Sequence, residues 1–374
     1  MDPRLEKLAN VLVNYSTAVK PGDRVRLVGQ AVARPLLVAL HAAVLRAGAY
    51  PLVHVVLDEC AETLLALGTD EQLRFEDPLA QHAIETVDVN IGLWGQDNTK
   101  ALSGFAPLRQ ALVSQARKKY LATFMRRFAE GQLRWVGSQF PCQAAAQDAE
   151  MSLAGYEDFV FRAGLLHLDD PAAAWRQLSQ RQQRVVDYLN GKQEIRFVAP
   201  GGTDLRLGVA GRTWINCDGH ENFPDGEVFT GPIEDATEGT IAYSFPAVHG
   251  GREVHGIRLR FEAGRVVDAS ATKNEEFLIA MLDQDAGARV LGEIAIGTNY
   301  SITRHTRNTL FDEKIGGTFH AALGAAYPET GGRNESGLHW DMVCDLRTGG
   351  KIFVDGKLIS DAGRFVDRTW PQPE

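Results

Sequence analysis

The 374-residue chain is longer than one hydrophobic core ordinarily organises, so two domains are expected. Hydrophobic residues at 44% and charged residues at 23% are ordinary for a soluble globular protein. A net charge of −9, with no basic run carrying interleaved aromatics, argues against nucleic acid or an anionic membrane as the main partner.

The N-terminus, Met1-Asp2-Pro3-Arg4-Leu5-Glu6-Lys7, is charged and lacks an apolar signal core. The longest apolar run, Pro35 to Leu45, is too short for a membrane helix and reads as a buried helix stopping at Gly48. The four cysteines, Cys60, Cys142, Cys217 and Cys344, are far apart and form no CxxC pair. They suit free thiols in a reducing compartment, so a cytoplasmic location is expected.

The first half alternates strand and helix patterns. Leu5 to Val13 has helical apolar spacing, and the turn Lys20-Pro21-Gly22-Asp23 leads into a strand at Arg24 to Gly29. Further strands are expected at Pro51–Leu57, Val87–Trp94 and Arg134–Gly137, with helices at Ala61–Leu67 and Pro107–Lys118. This alternation predicts an α/β domain with a mainly parallel sheet over residues 1–190. A polar helix, Ala172 to Leu189, ends it at Asn190-Gly191.

Beyond this point the texture changes. Glu194–Val198, Thr203–Leu207, Arg212–Asn216, Gly239–Tyr243 and Gly256–Phe261 are short alternating segments with Gly-rich turns, and Asn274 to Ala286 reads as a helix. Residues 191–374 are therefore expected to form an α+β domain rich in antiparallel strands.

The chemistry concentrates in that second half. His339 and Asp341 in Leu338-His339-Trp340-Asp341-Met342-Val343 share one face of a strand, because strand side chains alternate with period two. Imidazole with carboxylate suits zinc, manganese or cobalt. Glu293 interrupts the otherwise buried run Val290 to Gly297, and a buried carboxylate demands a metal or a cationic partner such as Arg289 or Arg304. Glu227 follows the turn Pro224-Asp225-Gly226 at the mouth of a strand, where a solvated turn residue is the plainer reading; Asp225 shares it. Glu313, beside Lys314, reads equally as a surface acid paired with that lysine. His320 lies among small apolar residues, where a lone histidine is ordinarily a hydrogen-bonded core residue. On a straight helix Tyr327 would stand roughly 10 Å from it along the axis. Both then reach one site only if the helix breaks near Gly324. His249 and His255 read as structural or exposed.

These segments, in this order, resemble the thermophilic metallo-aminopeptidase (M29) family. The resemblance rests on Asn222-Phe223-Pro224-Asp225-Gly226-Glu227, Leu291-Gly292-Glu293, Phe311-Asp312-Glu313-Lys314, Phe319-His320-Ala321-Ala322-Leu323-Gly324 with Tyr327-Pro328, and His339-Trp340-Asp341. The gap from Glu313 to His320 is longer than in founding members, and that from His320 to His339 is shorter. The resemblance implies a dinuclear cytosolic exopeptidase, usually dimeric, with its site enclosed between the domains. Glu227, Glu293, His320, His339 and Asp341 would be ligands of two divalent ions (zinc, cobalt or manganese). Glu313 would be a ligand or the general base, and Tyr327 would donate to the tetrahedral oxyanion. Substrates would be peptides with a free N-terminus, and the partner a second copy of the chain. Two other readings remain open at this level. One is a metal-dependent hydrolase of another amide or of a phosphoester, for which Arg304 and Arg307 are the nearest anion anchors. The other is a non-catalytic small-molecule-binding protein. No G-x-S-x-G elbow supports a serine hydrolase.

Overall fold

The computed structural model describes residues 2–373. The chain divides into two compact units, residues 2–172 with Gly219–Phe223 and residues 173–218 with 224–373. Asn190-Gly191 ends a helix inside the second unit.

The first unit is an α/β layer structure. Its sheet runs Tyr50–Val56, Arg24–Gln30, Val89–Trp94, Arg134–Gln139 and Asn222–Phe223, every pairing parallel. Parallel neighbours need crossovers, and helices supply them. The helix Arg34–Arg46 starts with Pro35 in its first turn and buries Leu36, Leu37, Leu40, Ala43 and Val44, one stripe at helical spacing. Helices at Pro78–Thr86, Lys118–Ala129, Gln143–Asp148 and Leu153–Ala163 go beyond those expected from apolar spacing. Two of them carry a start signal in the sequence. Asp77 accepts from the backbone N–H groups of Leu79 and Ala80, and Ser152 accepts from Gly155.

The second unit is β-rich. An eight-stranded sheet includes Glu194–Ala199, Thr203–Gly208, Thr237–Ala242, Arg258–Glu262 and Lys351–Val354, all antiparallel neighbours. A five-stranded antiparallel sheet runs His339–Asp345, Thr318–Gly324, Leu291–Gly297, Glu227–Thr230 and Ile215–Cys217. One face of this smaller sheet carries Val228, Ile294, Ile296, Phe319, Ala321, Leu323, Trp340, Met342 and Cys344 into a shared core with Ile195, Phe197, Leu205 and Leu207 of the larger sheet. Phe319 stacks on Phe197 with ring centroids 4.1 Å apart. Two expected elements are shortened. The strand near Arg212 forms only at Ile215–Cys217, because Arg212 turns aside to Glu234 and to the Gly331 carbonyl. The helix after Asn274 covers Glu275–Leu282, since Asp285 instead caps a turn by accepting from Gly287 and Ala288. Among the described residues no helix is long and apolar enough to cross a membrane.

Candidate metal centre

The opposite face of the five-stranded sheet carries the polar residues. Alternation places His339 and Asp341, His320 and Ala322, and Glu293, Ala295 and Gly297 on that face. Ladder register then aligns them across strands. Asp341 pairs with Ala322, and Ala322 with Glu293; His320 pairs with Ala295; Glu227 pairs with Gly297. Ala295, Gly297 and Ala322 are small, so the acids and imidazoles around them stand over a floor with room above it. A register irregularity between Leu291 and Glu293 sets the Glu293 position.

His320 corrects the helical reading. It lies in the strand Thr318–Gly324, wholly buried. The strand ends at Gly324, which has a φ of +102° and packs so closely on Leu338 that any Cβ would overlap the Leu338 carbonyl oxygen; only glycine fits. The chain then turns back. Tyr327 presents its ring edge-on to Phe229 at 5.4 Å and to His339 at 5.2 Å between centroids.

The donor atoms converge. Glu227, Glu293 and His320 offer one ligand atom each, all within 4.8 Å of one another, and so do Glu293, His339 and Asp341, and Glu313, His320 and Asp341. Glu293 spans the first two groups. Its Oε1 lies 3.3 Å from His320 Nε2 and its Oε2 lies 3.4 Å from His339 Nε2. The cationic partner of Glu293 is thus not Arg289, which pairs with Asp283 at 2.7 Å. Both imidazoles are oriented from behind. His320 Nδ1–H donates to the Glu313 carbonyl at 3.0 Å, and His339 Nδ1–H donates to the Ala325 carbonyl at 2.9 Å. A carbonyl can only accept, so each ring carries its proton on Nδ1 and turns Nε2 to the pocket, the arrangement a metal-binding histidine needs.

Electrostatics point the same way. Burial opposes charge on the two imidazoles, but Glu293, Glu227 and Asp341 overcome it, and the rings are pushed up to about 10 for His320 and about 11 for His339. Burial also opposes ionisation of Asp341, yet the two imidazoles bring it down to about 2. Glu227 is pushed up to about 8, chiefly by burial, against the pull of Lys314. Asp341 Oδ1 and Glu227 Oε2 are buried without a hydrogen bond. Buried carboxylate oxygens need a compensating partner, and this donor set, carboxylate and imidazole, fits zinc, manganese or cobalt.

Without a cation at pH 7, both imidazoles and most of Glu227 hold protons, and a cation takes only the deprotonated forms. Binding should therefore release about two to three protons at pH 7 and tighten as pH rises from 6 to 8. Calorimetry in buffers of different ionisation enthalpy measures the release, and an affinity independent of pH would contradict it.

Glu313 sits at the end of the short helix Thr309–Asp312 and pairs with Lys314, as its neighbour in sequence suggests. It is mostly buried rather than a surface acid, and burial raises it while Lys314 opposes the rise. Gly297 explains how this loop tucks in. Any side chain at Gly297 would overlap the Ile315 carbonyl oxygen. Asn299 then pins the loop, its N–H donating to the Lys314 carbonyl at 3.1 Å and its carbonyl accepting from Gly316 at 2.9 Å. Arg307, one of the two anion anchors considered, pairs with Glu253 at 3.3 Å. His255 pairs with Glu253 at 3.0 Å, and His249 packs on Trp340. Two residues beside the cluster have no role in the sequence reading, namely Cys217, which pairs with Glu227 across the ladder, and Lys314 as a wholly buried cation. No ligand spacing marks either.

The model of the thermophilic metalloprotease (M29) family matches residues 1–364. The chain belongs to that family. It is 30% identical to aminopeptidase 2 of Geobacillus stearothermophilus over 95% of each chain, and 30% identical to aminopeptidase T of Thermus thermophilus over 96% of each. The solved structure of wild-type AmpT from Thermus thermophilus superposes with a TM-score of 0.86 at 29% identity, covering 98% of this chain and 99% of that one. The structure of 2,5-dihydroxypyridine dioxygenase from Pseudomonas putida KT2440 matches at TM-score 0.57 and 17% identity, a likeness of fold alone. Membership makes the chain a metal-dependent hydrolase of peptide bonds.

Proposed function

We propose that the protein is a dinuclear aminopeptidase that removes N-terminal residues from peptides. The observation that carries the reading is Glu293, whose two carboxylate oxygens face two different imidazoles, with Glu227 beside one and Asp341 beside both. A carboxylate placed between two donor groups would suit a two-cation site. Glu227, Glu293, His320, His339 and Asp341 would hold them. When bound, the cations supply an activated water and polarise the scissile carbonyl.

The remaining steps belong to the chain. Glu313 Oε1 accepts from the Lys314 ammonium, which leaves Oε2 to take the proton of the attacking water as general base. Tyr327 stands at the rim with its ring against His339, and burial with the nearby acids keeps its phenol protonated, so it donates to the developing oxyanion. An acid beside the cations engages the substrate's α-ammonium, which restricts cleavage to the first residue. A cytoplasmic location and a homodimer complete the reading. The dimer is supported by the exposed apolar side chains of the edge strand Tyr50–Val56, where Leu52, Val53 and Val55 are each about half exposed.

An aminoacyl-anilide panel, run after chelation and again after adding zinc, cobalt or manganese singly, tests the proposal. Chelated protein should be inactive and recover with a divalent ion. Peptides with a free α-amine should be cut and their N-acetylated twins should not. Full activity in metal-free protein, or equal cleavage of both twins, would end the aminopeptidase reading.

A further inference from the structure

A fourth group of donors shares Glu227 with the two-cation reading and adds Cys217 and Asp225, which that reading does not use. Cys217, Asp225 and Glu227 each offer an atom within 4.8 Å of the others. The strands explain the placement: Cys217 is the ladder partner of Glu227, and Asp225 is held at the turn before it by accepting the Gly226 N–H at 2.9 Å. A thiol and two carboxylates at this spacing are donors that could hold a metal ion. A buried cation already stands against two of these three donors. Lys314 Nζ, fully buried, lies 3.4 Å from Glu227 Oε1 and 3.9 Å from Asp225 Oδ1, and it donates to Glu313 Oε1.

Charge counting gives this ammonium a definite role. Asp225, Glu227, Glu293, Glu313 and Asp341 place five negative charges in one buried neighbourhood. Two divalent cations neutralise four of them, and Lys314 neutralises the fifth. Removing the lysine would leave a buried acid without a partner, a state that recruits either a proton or another cation.

We infer that Lys314 is an internal cation that stands in for a metal ion beside Cys217, Asp225 and Glu227, and thereby limits the centre to two metal ions while leaving one Glu227 oxygen to face them and one Glu313 oxygen to face the attacking water. The inference rests on the two-cation reading for its count, but its geometry stands on the lysine. Lys314 is a positioning residue: it touches the acids and not the substrate.

The test uses full-length protein stripped with chelator, in a Cys60→Ser background that removes the exposed thiol. Cadmium is titrated, bound metal is counted by elemental analysis, and the thiolate-to-cadmium charge-transfer band is followed in the ultraviolet. The parent protein should saturate without the band. Lys314→Ala should bind one more cadmium per chain and develop the band, and an excess of ethylammonium, a free substitute for the lost side chain, should suppress both. Adding Cys217→Ser to Lys314→Ala should abolish the band. Lys314→Gln, closer in shape, gives the same reading should the alanine variant not fold, and Lys314→Arg should behave as the parent. Equal cadmium counts with no band in the alanine or glutamine variant would overturn the inference, as would a band of equal strength in the parent. A parent that takes no cation while the variant takes one with the band would sink the two-cation reading and the count of two, and leave standing only the exclusion of a cation from the Cys217 position by Lys314. If neither takes any, both fall.

Discussion

Glu293→Gln should lose metal and turnover together. The substitution keeps the shape of the side chain and replaces a charged carboxylate by a neutral amide. Its oxygen can still approach one of the two positions, but its NH₂ group, turned toward the other, is a donor facing a cation. Removing one member of a buried charge pair costs about 3–5 kcal/mol, so cation affinity should fall by roughly two to four orders of magnitude. The metal-free protein changes too. His320 and His339 lose one of the two acids that both face, Asp341 remaining, so their raised affinity for protons should drop, measurable by histidine NMR titration as a downward move from about 10 and about 11. The wild-type protein should gain thermal stability on adding zinc or manganese, because a ligand that binds only the folded state stabilises it. Glu293→Gln should lose most of that gain. A variant that kept full metal occupancy with wild-type kcat would remove Glu293 from the centre.

Why Glu293 is legible in the sequence and Lys314 is not is a matter of what each local segment can exclude. A carboxylate inside Leu291-Gly292-Glu293-Ile294-Ala295-Ile296-Gly297 has no soluble side to turn to in a strand buried on both faces, so a compensating group is forced. The H-x-D pair is legible because period two is a property of any strand. Glu313-Lys314, by contrast, has the composition of an exposed turn. Its burial depends on Gly297 admitting the loop and Asn299 holding it, contacts that join residues more than a dozen positions apart. The helical reading of the His320 segment fails for a related reason. Thr318-Phe319-His320-Ala321-Ala322-Leu323 has two alanines and a leucine, residues at home in helices. Strands on both sides, Leu291–Gly297 and His339–Asp345, impose the extended form by pairing with every residue of it or nearly so. The parallel sheet of the first unit is visible in its alternating pattern, and the helix Lys118–Ala129 is legible too, since Tyr120, Phe124 and Phe128 recur at every fourth position along it. For Lys314 and the His320 segment the missing information is tertiary.

Tyr327→Phe should separate a transition-state donor from a ligand. The substitution removes one hydroxyl and leaves the ring, so the edge-on contacts with Phe229 and His339 remain. The His339 ring should keep its orientation, because that is set by its Nδ1–H donating to the Ala325 carbonyl rather than by the tyrosine. Metal content should therefore stay at the wild-type value, and the thermal shift on adding metal should be unchanged. Among the described residues the Tyr327 hydroxyl makes no hydrogen bond within the chain, so its loss strands no partner and should cost little stability. What should change is the rate. A donor aimed at developing negative charge acts mainly in the transition state, and losing one typically lowers kcat by about 10²–10³-fold while KM moves little. The pH profile adds a second readout. Burial and the nearby acids hold the phenol well above its ordinary range, so it donates at every working pH. The wild-type and variant profiles should then have the same shape and differ only in height. Loss of metal from the variant would instead make Tyr327 part of the metal-holding set, and a wild-type kcat would reduce it to a ring packed beside His339.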